Sequence, residues 1–325
     1  MNANGYLFHE LSPFWFESKG PTEVWFSGSL SAESVAPAME AARRSGAKVV
    51  PAVVDAMDEG GMAALLADPG RRAVHVQTLL ALARDNDFDG LDIDYEKFAF
   101  ADDRSTWATT SPHWISFLRE LADGLHAEGR ILTVAVPPIY DSDRGVESGY
   151  WVYDYASMGD IVDRIRIMAY DYSFGKPGPI APVEWVRRAV KAAKAEVADH
   201  SKLVLGIPLY GRNWVLSTDG TCPADAPGRA DPNLREVAGL VAQYGAVPVF
   251  DEGTGESSFT YLRPASDGTT SCTQTRVVHY VDPVGVGLRM DIAREERIGG
   301  VVFWALGFDT PDVWTVVTSQ ATPRL

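Results

Sequence analysis

The sequence predicts an α/β fold: a (β/α)8 barrel of the TIM type, carrying a small α+β insertion ahead of its last strand. Three observations predict it. Short β-branched or aromatic runs alternate with helical patterns, as in a parallel sheet with crossover helices. Several of those runs are almost wholly apolar, as strands covered on both faces must be. Setting aside one polar, turn-rich stretch of about 70 residues leaves ~255 of the 325, close to the ~250 of an eightfold barrel. The chain therefore reads as one barrel domain over 1–325 with an insertion at 215–286.

In chain order, the predicted strands are 6–16, 48–54, 88–95, 131–137, 165–170, 203–208 and 300–305. Helices fall between them. Val76, Leu79, Leu80 and Ala83 form an apolar stripe just before the strand at 88. Ser111-Pro112 reads as an N-cap with Pro at the first helical position, followed by Trp114, Phe117, Leu118, Leu121 and Leu125 on one face. Pro182 opens a run through Trp185, Ala189 and Ala193. Gly46, Gly129 and Gly299 stand where left-handed C-caps belong. The insertion holds a helical stretch at 234–244 and β-like pieces at 247–250, 259–262 and 276–281. Only seven barrel strands are clear. Either 22–27 supplies an eighth, or the chain begins after the first strand of the barrel, and the second reading is preferred.

With 44 acidic against 29 basic side chains, the net charge is −15. That surplus argues against a nucleic-acid or anionic-membrane partner. No apolar run approaches the ~20 residues that span a bilayer, and the start, MNANGYLFHE, lacks an export signal. The six histidines are scattered and neither cysteine sits at ligand spacing, so no metal site is expected. Cys222 and Cys272 lie in one Gly/Ser/Thr/Asp-rich region, compatible either with a disulfide or with two free thiols.

The most informative stretch is Asp89-Gly90-Leu91-Asp92-Ile93-Asp94-Tyr95-Glu96. On a strand, Asp92, Asp94 and Glu96 share one face while Leu91, Ile93 and Tyr95 take the other. Four acids at these positions would arise by chance ~0.1 times in a chain of this composition, so context must decide. The context is apolar, and buried acids without a role are costly. Carboxyls ~6.6 Å apart on a buried face cannot all ionise freely, so at least one should hold a proton near neutral pH. A protonated carboxyl at the C-terminal end of a barrel strand suits a general acid, and Glu96, last in the file, is best placed.

The run from Ile165 through Met168 and Tyr170 ends in Asp171-Tyr172, placing a phenol and a carboxylate on the same rim. The last strand offers Trp304. Aromatic faces stack on sugar rings while carboxylates and phenols bind hydroxyl or amide groups, so the set suggests a carbohydrate. Plain core packing remains open for Trp304, and more so for Met168.

At these residues the sequence resembles glycoside hydrolase family 18, the chitinase-like family. Its D-x-x-D-x-D-x-E signature is present as Asp89, Asp92, Asp94 and Glu96, and its M-x-Y-D pattern as Met168, Tyr170 and Asp171. Residues 206–214 match a G-x-P-x-Y-G-R-x-W segment, and Trp304 matches the tryptophan of the last strand. Ser12-Pro13-Phe14-Trp15 is most similar to the bacterial branch that includes spore-cortex peptidoglycan hydrolases, where an earlier strand normally precedes this segment.

The resemblance implies a retaining, substrate-assisted glycosidase acting on β-1,4 bonds beside N-acetylglucosamine in chitin- or peptidoglycan-type glycans, with no cofactor. Glu96 would be the acid and then the base, Asp94 the group orienting the 2-acetamido substituent, and Asp92 a proton-sharing neighbour. Tyr170 and Asp171 would hold the acetamido group, and Trp304 would floor the sugar subsite. Asp89 and Met168 complete the expected binding set. Tyr210 and Arg212 are rim contacts or structural. A monomer in an extracellular or envelope setting is expected. A non-hydrolytic, lectin-like relative is the alternative, although such proteins typically lose the acid that Glu96 supplies. A nucleotide enzyme is discounted because Gly285-Val286-Gly287 lacks the third glycine and a clear preceding first strand.

Overall fold

The computed structural model describes residues 4–321. The outermost residues of the predicted 1–325 domain lie outside the described residues. The strands are β1 (Glu10–Leu11), β2 (Phe14–Ser18), β3 (Val24–Phe26), β4 (Lys48–Val49), β5 (Ala52–Asp55), β6 (Gly90–Asp94), β7 (Ile131–Val136), β8 (Arg164–Ile167), β9 (Leu203–Pro208), β10 (Gly211–Gly220), β11 (Val249–Asp251), β12 (Glu256–Ser266), β13 (Ser271–Tyr280) and β14 (Gly300–Trp304). The helices are α1 (Ala32–Ser45), α2 (Gly61–Ala67), α3 (Pro69–Asp85), α4 (Lys97–Phe100), α5 (Trp107–Ala127), α6 (Tyr155–Ile161), α7 (Val183–Glu196), α8 (Leu234–Tyr244), α9 (Pro283–Glu295) and α10 (Pro311–Gln320).

The main ladder runs β3-β2-β5-β6-β7-β8-β9-β14. All neighbours from β2 to β14 are parallel. β3 pairs antiparallel with β2. Residues 22–27 are therefore no eighth barrel strand: the short link after Ser18 allows only a hairpin, since a parallel partner needs a crossover. The ladder is open between β14 and β2. A ring contact bridges that seam instead, Phe14 of β2 against Trp304 of β14 at 5.1 Å, and nearby Phe8, ahead of β1, meets Trp314 of α10 at 5.7 Å.

The expected strand at 6–16 is broken. Residues Gly5–Leu7 form a 3-10 turn, and Pro13, which has no N–H to donate, splits the rest into β1 and β2. Pro51 divides β4 from β5 in the same way. Helix α5 starts five residues before Pro112, not at it. Its first turn is anchored by buried Trp107, whose indole donates to the Phe98 carbonyl at 2.6 Å, and that anchor outweighs the hydrogen bond Pro112 forfeits. Pro182 is the N-cap of α7, one residue outside it. Gly46 and Gly129 are left-handed as expected, but at the end of α9 that conformation belongs to Arg297. Gly299 answers to space: a Cβ there would lie 2.0 Å from the Ser201 carbonyl oxygen.

Capping fixes where the outer helices begin. Asp68 accepts from the amides of Gly70 and Arg71 at the start of α3, with Pro69 at the first position. Asp282 accepts from the Gly285 amide at the start of α9, and Asn233 with Glu236 forms a capping box on α8. The predicted stripes on α3 and α5 are buried against the sheet.

Strands β10 to β13 form a separate antiparallel sheet in the order β10-β13-β12-β11. With α8 it encloses a small core of Val237, Phe259, Tyr261 and Val278. Cys222 and Cys272 are bonded across it, their Cα atoms 4.8 Å apart. The lobe is tied to the barrel by Glu256, which accepts from the amides of Ile180 and Ala181 at 2.9 and 2.6 Å and pairs with buried Arg289.

Candidate active site

Every residue of β6 is buried. Alternation along this strand turns Asp92 and Asp94 away from the helix layer, into which Leu91, Ile93 and Tyr95 pack. Glu96 lies just past the strand as the N-cap of α4, half-buried, so the file of acids runs from the barrel interior to its C-terminal mouth. Asp94 is raised well above the usual carboxylate range, first by burial, then by the charges of Glu96 and Asp92, with Arg166 opposing. Burial also raises Glu96, reinforced by Asp171, while its hydrogen-bonding contact with Asp94 pulls it down. One proton shared by Asp94 and Glu96 satisfies both conditions.

Three further segments deliver side chains to this mouth. Beyond β8 the chain presents Met168, Tyr170 and Asp171, with Asp171 in the left-handed region at φ 63°. Burial and the surrounding acids Asp94, Glu96, Asp171 and Asp92 push the Tyr170 phenol far up, so it stays a neutral donor. Met168 is half-buried, its amide bonded to the Val136 carbonyl at 2.9 Å. Tyr210, just after β9, donates to Asp171, and Arg212 on β10 pairs with the same carboxylate at 2.5 Å and with Asp231 at 2.9 Å. The Arg212 guanidinium also lies 4.5 Å from the Phe174 ring centre. Trp304 ends β14 with 37% of its surface exposed, leaving an indole face open at the rim.

Asp89 does not join the set. It precedes β6, at the opposite end of the barrel, where its carboxylate accepts from the Val49 amide at 2.8 Å and staples β4 to the acidic strand. The distance along a strand from Asp89 to Glu96 is ~23 Å at the usual rise, too far for a shared ligand contact.

Sequence reasoning missed the groups behind the acids. Arg166, on β8, reaches Asp92 across the barrel interior, and Ser12 donates to the same Asp92 oxygen at 2.6 Å. Glu10 pairs with Arg166 at 3.3 Å and with Arg164 at 3.4 Å. The signal was an arginine inside the apolar run Ile165-Arg166-Ile167, because a buried cation requires an acid. Tyr153 donates to the Tyr95 carbonyl at 2.7 Å, bracing the turn between Asp94 and Glu96. Among the described residues no group of three or more His, Cys, Asp or Glu is arranged to hold a metal ion, and no helix is long and apolar enough to cross a membrane.

The chain is 29% identical over 209 residues to the cortical fragment-lytic enzyme of Bacillus subtilis, covering 63% of this chain and 45% of that one. It is 26% identical over 285 residues to Nod factor hydrolase protein 1 of Medicago truncatula, covering 80% and 68%. A chitinase of Cycas revoluta, solved in complex with (GlcNAc)3, superposes with a TM-score of 0.78 at 24% identity over 98% of this chain and 94% of that one. The chain spans 54%, 63% and 45% of the length of three Bacillus subtilis relatives. The profile described as "Glycosyl hydrolases family 18" matches residues 22–309, which takes in the acidic strand, the phenol-carboxylate rim, the inserted lobe and the final tryptophan. With most of its length matched, this chain belongs to glycosyl hydrolases family 18.

Proposed function

We propose that the protein is a retaining, substrate-assisted glycoside hydrolase that cleaves β-1,4 bonds beside N-acetylglucosamine in chitin- or peptidoglycan-type glycans. The observation that carries the reading is the raised, half-buried Glu96 in contact with buried Asp94 at the mouth of the barrel. Glu96 gives its proton to the glycosidic oxygen as the bond from that oxygen to the anomeric carbon breaks. The substrate's 2-acetamido carbonyl oxygen closes on the same carbon and forms an oxazolinium ion. Asp94, ionised at that moment, accepts from the acetamido N–H and stabilises the positive charge. Water then adds to the anomeric carbon from the side the leaving group vacated, Glu96 takes the water's proton, and the ring opens with configuration retained. Asp92 tunes Asp94 from behind.

Tyr170 and Asp171 hold the acetamido group, Tyr210 and Arg212 keep Asp171 in place, and Trp304 floors the subsite with Met168 beside it. The site requires no cofactor. A relative named a cortical fragment-lytic enzyme, together with the Cys222–Cys272 bond, favours an extracellular or envelope setting.

The test is Glu96→Gln, assayed on chitotetraose, peptidoglycan glycan strands and an N-glycoprotein, with products identified by mass. Turnover falls by about 10²–10⁴-fold while the melting temperature holds. Undiminished turnover would remove Glu96 from the mechanism. Tight binding of chito-oligosaccharide by the wild type, with no reducing ends released, would make the protein a lectin.

A further inference from the structure

Asp171 opens the segment 171–180 that joins β8 to α7. Its φ of 63° is one that a non-glycine residue keeps only where its surroundings hold it. The base of the segment is closed by the Tyr172 amide, which donates to the Ile180 carbonyl at 2.8 Å. Its tip is held by the inserted lobe. Phe174 is 55% exposed, yet two guanidiniums lie against its ring, Arg212 at 4.5 Å and Arg229 at 4.0 Å from the ring centre. The Phe174 carbonyl accepts from Arg229 at 3.1 Å and from the Trp214 indole at 3.3 Å. Asp231 ties the two arginines together, 2.9 Å from Arg212 and 3.6 Å from Arg229.

Arg229 and Asp231 belong to a strap, 221–232, that returns along β10 after the Cys222–Cys272 bond. Arg276 of β13, fully buried, pins it through neutral acceptors: the carbonyls of Pro227 at 2.8 Å and Gly228 at 2.6 Å, and both oxygens of Asn213. Ala230 exchanges backbone hydrogen bonds with Asn213 at 2.8 and 3.0 Å, and the Pro232 carbonyl accepts from the Gly211 amide at 2.8 Å. Backbone anchors at 228, 230 and 232 turn residues 229 and 231 to one side of the strap, toward Phe174 and Arg212. An arginine side chain left free would sample many rotamers, and Asp171 would move with the one that pairs with it.

We propose that Phe174 and Arg229 are positioning residues, through which the strap of the lobe holds Arg212, and with it Asp171, in one place at the barrel mouth. This role rests on the hydrolase reading for its kinetic consequence only. Neither residue touches the substrate. The acetamido oxygen is the attacking group, so a displaced Asp171 is felt in the transition state more than in binding.

The experiment combines steady-state kinetics on the cleaved glycan with hydrogen exchange of segment 171–180, for Phe174→Ala, Arg229→Gln and the double variant. Each single variant lowers kcat about tenfold with KM little changed, and Phe174→Tyr retains turnover. The double variant falls no further than Arg229→Gln, because both side chains act through one contact. In all three the Tyr172 amide exchanges about tenfold faster, while the amides of β7 are unchanged. Losses that multiply in the double variant, or a KM raised by the Phe174 variant alone, would make the ring a sugar platform and overturn the proposal. Unchanged exchange at Tyr172 would overturn it as well. A wild type that cleaves none of the glycans would refute the hydrolase reading, and exchange alone would then uphold or overturn the hold on the segment.

Discussion

Tyr153 is fully buried and meets no solvent, yet its hydroxyl holds the peptide that separates Asp94 from Glu96. Replacing it with Phe removes one hydrogen bond of about 1 kcal/mol and should lower kcat about fivefold with KM little changed, as steady-state kinetics would show. Trp304 presents the opposite case, an exposed ring at the rim. Trp304→Ala should raise KM about tenfold through lost stacking, and an unchanged KM would return that indole to plain packing. His75 makes a third. Its ring is buried 2.7 Å from the Tyr95 hydroxyl, and burial drives it down to about 4. Its ordinary value is 6.5, so the unfolded chain takes up a proton that the folded one refuses as pH falls from 6.5 to 4. Stability from this group is complete above that window and lost through it, by up to about 3 kcal/mol. Denaturant melts of His75→Gln should flatten that slope. At this scale the sequence announced residues whose spacing alternates, Asp92, Asp94 and Glu96. Arg166 showed only as a cation within an apolar run and Tyr153 not at all, because their partners are 74 and 58 positions away.

At the scale of elements, periodicity gave the helices and parallel strands because burial of one face writes itself into the sequence. Boundaries were harder wherever proline could be read two ways. Pro13 and Pro51 interrupt strands that composition alone would continue, and Pro112 sits within a helix because Trp107 anchors an earlier start. The inserted lobe depends on two devices, the Cys222–Cys272 bond and the Glu256–Arg289 contact with the Ile180 and Ala181 amides. Closing a loop of sequence separation 50 stabilises by about 4 kcal/mol in the chain-entropy description. Double replacement of both cysteines by Ser should therefore speed hydrogen exchange in β10, β12 and β13 while leaving β6 and β7 unchanged. Equal acceleration in the barrel would mean that the lobe and barrel unfold as one unit.

For the whole molecule, bulk arithmetic suggested an eightfold barrel, and strand counting suggested seven. The ladder has seven parallel strands with β3 as an antiparallel appendage, and its seam is spanned by a ring contact rather than by a backbone ladder. β14 pairs on one side only, with β9. Its amides should exchange well before those of β7, which is laddered on both sides; equal protection would show the seam to be closed in solution. The charge of −15 argues against some partners without choosing one, since no pattern in a single sequence separates a solvated surface from a recognising one.

The cluster of Glu10, Ser12, Asp92 and Arg166 also bears on how the chain assembles. Its contacts join positions 156, 80 and 74 residues apart. On a growing chain, Glu10 and Asp92 emerge long before the cation that neutralises them. Until β8 docks, these acids repel and keep the nascent interior hydrated, and such distant contacts form slowly. The chemistry of the mouth thus matures only with β8 in place, so a half-built barrel would hold an inactive acid pair.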